Sequence, residues 1–256
     1  MLWVVIIVVI MIFFMRKKKK KPVESFSEGN VTFFSKEDGE ELLKTDPDSY
    51  FENLTKLDLE AMKFVDFDEA INKISESCIN FTMDQKILLL KSTNIGDNFL
   101  RKLKISNNKT VDFKKLSELE WKFVLTEGDI NEAGMPHTKG NVIYLSTLIF
   151  NLNKKDLIKT LIHEKIHVYE RLYPRDIQEW ILSNGFKIYR RQSGIVNARS
   201  NPDVDGWTYI NPNGKESVVL YNIKPSDIMD AIYPVNNDPS SEHPYEMFAY
   251  YIDSLY

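Results

Sequence analysis

The sequence predicts an α+β fold, and three features of its 256 residues carry that prediction. Two short runs rich in β-branched and aromatic residues, WKFVLT from Trp121 and NVIYLS from Asn141, read as strands separated by a turn-rich segment. A strongly apolar run of helical period, KKDLIKTLIHEKIHVYERL, opens at Asn153-x-x-Asp156 and ends at Pro174. Beyond it, RDIQEWILSNGFKIYRR reads as a second helix. WTYI and ESVVLY then flank Asn211-Pro-Asn-Gly214, a hairpin signal. The final PYEMFAYYIDSLY, with Pro244 in its first turn and aromatic residues all round, reads as a mostly buried last helix.

The N-terminus is of a different kind. Residues 1–15 carry no polar side chain, and Arg16 to Lys21 then supply six positive charges in a row. At about 1.5 Å per residue such a helix reaches about 22 Å, short of a hydrocarbon core of about 30 Å. Lysine stems lying in the acyl region and local thinning cover the difference. A secretory signal puts its charge before the apolar stretch and a cleavage site after it; here the order is reversed. Residues 1–15 are therefore expected to be an uncleaved single-pass transmembrane anchor, with the N-terminus outward and the body on the cytoplasmic side.

Without those six residues the formal charge moves from −4 to −10. An acidic body argues against nucleic acid as a partner. The single cysteine, Cys78, can form no internal disulfide and reads as a core thiol. Four Asn-x-Ser/Thr sequons, at Asn30, Asn53, Asn80 and Asn108, occur by composition and carry no weight.

Residues 16–50, polar and without periodicity, read as a basic flank and tether. Residues 51–118 read as a small helical subdomain. Asp66 caps an amphipathic helix with Phe67, Ile71, Ile74 and Cys78 on one stripe, and Thr82 to Gln85 form a capping box for the next helix. Residues 119–256 remain, and they hold the chemistry.

His163-Glu164-Lys165-Ile166-His167 is an HExxH sequence inside the apolar helix. At 3.6 residues per turn His163 and His167 share one face, so two imidazoles can hold one metal ion. Glu164 sits about 100° round the helix, out of easy reach as a ligand but able to take a proton from water at the metal. With only four His in the chain, the pattern rarely arises by chance. Two imidazoles and a carboxylate on a Leu/Ile/Val helix are also costly to desolvate without a strong partner.

Strand, HExxH helix and distal acidic helix together resemble the zincin zinc metallopeptidases, over roughly residues 120–256. The metzincin extension would need Gly and His where this chain has Glu170 and Tyr173, which leaves gluzincin-like forms with a Glu on a later helix as third ligand. In that resemblance Glu246 is the third ligand, because Glu246-Met-Phe-Ala249 is similar to the third-ligand helix of small gluzincin-like peptidases. His243 is the rival ligand, and it can instead cap the helix or contact substrate. The acidic residue that the family often carries four positions after the third ligand is absent, since position 250 is Tyr, although Asp253 lies on a compatible face. The Lys/Asn/Ile-rich composition and terminal anchor also resemble metallopeptidases of large DNA viruses.

Two further positions are candidates for substrate or oxyanion contacts. His137, before the presumed edge strand NVIYLS, can line the cleft or polarise a carbonyl. Asn201-Pro-Asp203 with Asp205-Gly206-Trp207 reads first as turn chemistry; in a functional reading this loop reaches the cleft and Tyr209 donates to an oxyanion. The resemblance implies a zincin-like α+β domain that binds Zn²⁺ and hydrolyses a protein or peptide substrate, with Glu164 as general base and the substrate paired along residues 141–146. The alternative is a membrane-tethered zincin-fold binding module that has lost turnover.

Overall fold

A computed structural model describes residues 26–46, 48–106 and 110–256. The expected anchor, the basic residues 16–21 and the sequon at Asn108 lie outside the described residues. Among the described residues no helix is long and apolar enough to cross a membrane.

The chain runs β1 (Phe26–Glu28), β2 (Val31–Phe33), α1 (Lys36–Thr45), α2 (Lys56–Met62), α3 (Phe67–Glu76), β3 (Cys78–Ile79), α4 (Met83–Lys102) and α5 (Phe113–Ser117). It continues with β4 (Trp121–Thr126), β5 (His137–Lys139), β6 (Val142–Ser146), α6 (Lys154–Leu172), α7 (Pro174–Ser183) and β7 (Lys187–Arg191). Last come β8 (Trp207–Ile210), β9 (Glu216–Ser217), β10 (Leu220–Tyr221), β11 (Ala231–Ile232) and α8 (Pro244–Ser254). The fold is mixed α+β, as the sequence predicts.

The main sheet is mixed, in the order β1-β2-β4-β6-β5, with β3 also paired to β4. Strands β2, β4 and β6 run parallel to one another, and edge strand β5 is antiparallel to β6. Side chains alternate between its faces. Phe123, Leu125, Ile143 and Leu145 face α6, packing with Leu157, Leu161 and Val168. Val124, Val142 and Tyr144 face the other way, packing with Leu43, Phe51, Ile74 and Cys78. Both faces are covered, so β4 and β6 read as nearly continuous apolar runs.

Helix α6 is buried on a second side as well. Ile158, Ile162, Ile166 and Tyr169 pack with Leu100 and Leu116 and with Phe248, Ala249 and Ile252 of α8. Its start follows from Asn153, whose side chain accepts from the Asp156 N–H at 3.0 Å. The caps at Asp66 and Thr82 also form as the spacing predicts, the latter as a full capping box.

Four sequence expectations are corrected here. Residues 26–45 are not a tether. Strand β2 pairs in parallel with β4, and Phe33 is buried with Phe81 and Phe123 at ring separations of 5.1 and 5.8 Å. Residues 51–118 are likewise not a separate subdomain, because their side chains complete the cores on both faces of the sheet and on the far side of α6. The edge strand is β5 rather than the NVIYLS segment, which β4 and β5 flank as β6. Finally, RDIQEWILSNGFKIYRR is half helix and half strand. Gly185 adopts a left-handed φ of +83° that ends α7, and Lys187 to Arg191 then pair with β8.

Lys139 anchors the edge strand. Its ammonium lies 4.2 and 4.1 Å from the rings of Tyr50 and Phe51 and has no hydrogen-bond partner. Burial pushes it down to about 8, against the pull of Glu132 and Asp46.

Two predictions follow from these contacts. Phe33→Ala should cost about 3–5 kcal/mol in urea unfolding, whereas a tether residue would change stability by less than about 0.5 kcal/mol. For Lys139 the unfolded ammonium holds its proton up to an ordinary value of 10.5 while the folded one releases it near 8. Between those values the unfolded state binds more protons, so Lys139 makes stability rise with pH. Comparing Lys139→Met with wild type by denaturant titration from pH 7 to 10.5 should show the wild type gaining relative to the variant.

Candidate metal centre

The centre forms where α6 meets α8. One turn apart on α6, His163 and His167 present Nε2 atoms 3.1 Å from each other. From the first turn of α8, Glu246 brings Oε2 to 3.3 Å from His163 Nε2 and Oε1 to 3.8 Å from His167 Nε2. The three candidate ligand atoms lie within 4.8 Å of one another. Tetrahedral zinc with bonds of about 2.0–2.1 Å sets its ligand atoms about 3.3 Å apart, close to these separations.

The outer partners of the rings fit the same purpose. His163 Nδ1 faces Asp253 Oδ2 at 3.1 Å, and His167 Nδ1 faces Glu170 Oε2 at 2.7 Å. With the Nδ1 protons donated to these carboxylates, each Nε2 is left as a lone pair. In that tautomer both lone pairs aim at one position, which a single cation could share; without one, a proton on one Nε2 serves the 3.1 Å contact. Burial pushes His167 down to about 3, so its ring is neutral as a ligand must be. Burial alone would raise the Glu246 carboxyl, but the imidazole pair beside it, in which His163 is held well above its ordinary value by Asp253 and Glu246, outweighs burial and keeps Glu246 well below the ordinary range. Asn201 Nδ2 donates to Glu246 Oε1 at 3.0 Å. The donor set of two imidazoles and one carboxylate therefore suits zinc, with room for a further ligand.

Glu164 lies outside that cluster. Its Oε2 accepts from Thr138 Oγ1 at 3.0 Å, and the same hydroxyl lies 3.2 Å from the Glu164 carbonyl. Burial raises this carboxyl to about 7, with His163 opposing and Glu246 assisting. A group poised there exchanges protons in both directions near neutral pH. Beside it opens a cleft of about 430 Å³, bordered by β5, α6, α8 and the segment 199–203. Tyr250 lines it and sets its ring edge-on to His163, with centroids 4.6 Å apart.

Of the other candidate residues, His243 and Tyr209 are placed elsewhere, and His137 borders the cleft. His243 is the N-cap of α8: Nδ1 accepts from the Tyr245 N–H at 3.2 Å, while Nε2 faces the Trp207 carbonyl and Asp205. His137 borders the cleft but stands opposite Tyr144, on the face of the sheet turned away from α6. Its ring stacks on Tyr144 and both nitrogens are engaged, by Asn131 and the Met135 carbonyl. Tyr209 is fully buried in the core on the far side of α6 and donates to Asp205 at 2.7 Å. Neither His137 nor Tyr209 offers its polar group to the cleft.

Thr138, Asn201, Asp203 and Glu170 reach the centre without having been singled out as site residues. Only the turn-forming Asn201-Pro-Asp203 gave a signal, as a loop able to reach the cleft. Thr138 and Glu170 gave none, since each acts through a contact distant in sequence or hidden in a helix.

Purified protein should hold about one zinc per chain, removable by chelation and restored by added zinc. His163→Ala and His167→Ala should abolish retention and Glu246→Gln should weaken it, as read by metal analysis. His243→Ala should keep the metal and lower stability by about 1 kcal/mol, the cost of a lost cap.

Compared with known protein families, curated proteins and solved structures, the chain matches none of them, so what the centre can do follows from its own geometry and chemistry.

Proposed function

We propose that this chain is a zinc-dependent peptidase of the zincin type. One observation carries the reading: within a single turn of α6, His163 and His167 converge with Glu246, while Glu164 turns instead to Thr138 on the edge strand. A binding site for metal alone has no use for a separate buried carboxylate held off the ligand cluster by Thr138; a hydrolase does. A candidate ligand on a later helix is what the zincin resemblance implies, and the edge strand near the HExxH helix is β5 in place of the expected 141–146.

His163, His167 and Glu246 would hold the zinc, which would supply Lewis acidity and lower the pKa of a water in the site toward about 7. Glu164 takes the proton of the attacking water on its carboxylate and passes it to the leaving amine as the peptide bond breaks. Asp253 and Glu170 keep both imidazoles in the tautomer that leaves Nε2 free. Thr138 holds Glu164 toward the cleft. The anchored topology belongs to the proposal too, supported by the order of apolar and basic residues in 1–21 and by the acidic charge of the remainder.

Glu164→Gln should retain zinc while casein cleavage falls by about 10²–10⁴. Stoichiometric zinc in wild type with no turnover on any peptide pool would instead favour a binding module.

A further inference from the structure

Edge strand β5 turns one residue outward. His137 and Lys139 stand opposite Tyr144 and Val142, and Thr138 stands opposite Ile143. Along such a strand, successive residues direct their backbone groups alternately toward the partner and away from it. The Thr138 N–H donates to Asp203 Oδ1 at 2.6 Å, so Thr138 is the outward residue. An extended peptide adding to this edge needs that same N–H.

Asp203 belongs to segment 201–206, which has no helix or strand of its own. Asn201 holds one end, donating to Glu246 Oε1 at 3.0 Å and accepting from the Asp203 N–H at 2.8 Å. Arg171 donates to the Pro202 carbonyl. Besides the cleft, a second cavity of about 470 Å³ is bordered by Asp48, Arg171 and Arg191. Asn201 and Pro202 line both.

The geometry points to 201–206 as a built-in occupant of a peptide groove. The inference rests on the peptidase reading: an extended peptide takes its place on the enzyme by displacing Asp203 from the Thr138 N–H, and the two cavities then join in one groove across β5. The Asp203 carboxylate stands where a peptide carbonyl would accept. The contact with Glu246 means that the same segment covers the metal ligand and the strand together, so displacement opens both. A supporting role for Asp203, in which it only steadies Thr138, makes the opposite prediction for its removal.

The test uses full-length, zinc-loaded protein with unstructured casein as the probe. Asp203→Ala should raise kcat/KM by about tenfold, mainly through a lower KM, because the groove is no longer taxed by its occupant. Zinc content should not change. Asp203→Asn keeps the shape and one acceptor oxygen, so it should shift kcat/KM the same way by less, which covers a failure of the alanine variant to fold. In a Glu164→Gln background, hydrogen exchange of the Thr138 amide should quicken with Asp203→Ala and slow again when casein is added. Cleavage by wild type that both Asp203 variants lower or leave unchanged overturns the occupant role. Zinc held with neither cleavage nor casein binding by any variant overturns the peptidase reading, and this inference with it.

Discussion

The burial of α6 on two sides at once constrains everything around the centre. Leu157, Leu161 and Val168 face the sheet, and Ile158, Ile162 and Ile166 face α4, α5 and α8. The seam between those faces is where His163, Glu164, His167 and Glu170 must sit, largely removed from water. Each uncompensated charge there costs several kcal/mol, so each polar atom needs a partner. The partners present are mostly acidic: Glu246, Asp253 and Glu170 surround two imidazoles that carry no permanent charge. A divalent cation at the Nε2 atoms would balance that excess, and the same carboxylates that raise the proton affinity of His163 would raise its affinity for a metal.

The sheet does more than cover α6. Alternation along β5 sends His137 and Lys139 into the aromatic core on the far face and Thr138 toward α6. Lys139 fixes the strand against Tyr50 and Phe51, and Thr138 transmits that placement to Glu164. The position of Glu164, the proposed general base, is thereby set by a strand as well as by its own helix. Residues as early as Tyr50 contribute to it, which is why the N-terminal half of the chain cannot be treated as a separate unit.

Local signals were legible and distant pairings were not. The helix caps at Asp66, Thr82 and Asn153, the HExxH face and the acidic residue just inside Pro244 are each written within a few neighbouring residues. Strands β1 and β2 have three residues each, too few for periodicity, and β2 finds its partner in β4 about 90 residues later. Strand β5 is hidden between Pro136 and Gly140, so His-Thr-Lys reads as part of a turn. His137 and Tyr209 were chosen for their chemistry, but strand alternation decides which way such residues point, and pairing register is a tertiary property. The loop at Asn201-Pro-Asp203 carries turn chemistry with nothing in it to say which strand it meets.

The tyrosine at position 250 shows how helical geometry can satisfy a site from a different position. An acidic residue four positions after Glu246 would lie about 40° round α8; Tyr250 occupies that direction and gives its ring to His163 instead. Seven positions after Glu246 the rotation is about 700°, within about 20° of the starting direction and two turns further along. Asp253 stands there and accepts His163 Nδ1 at 3.1 Å, while Glu246 approaches Nε2 of the same ring at 3.3 Å. One face of α8 thus holds both ends of one imidazole, one with the candidate ligand Glu246 and the other with the carboxylate of Asp253. Rotation of α8 by a single residue, about 100°, would remove both contacts together, so Phe248, Ala249 and Ile252, which seat the helix in the core, set the geometry of the centre as firmly as its ligands do.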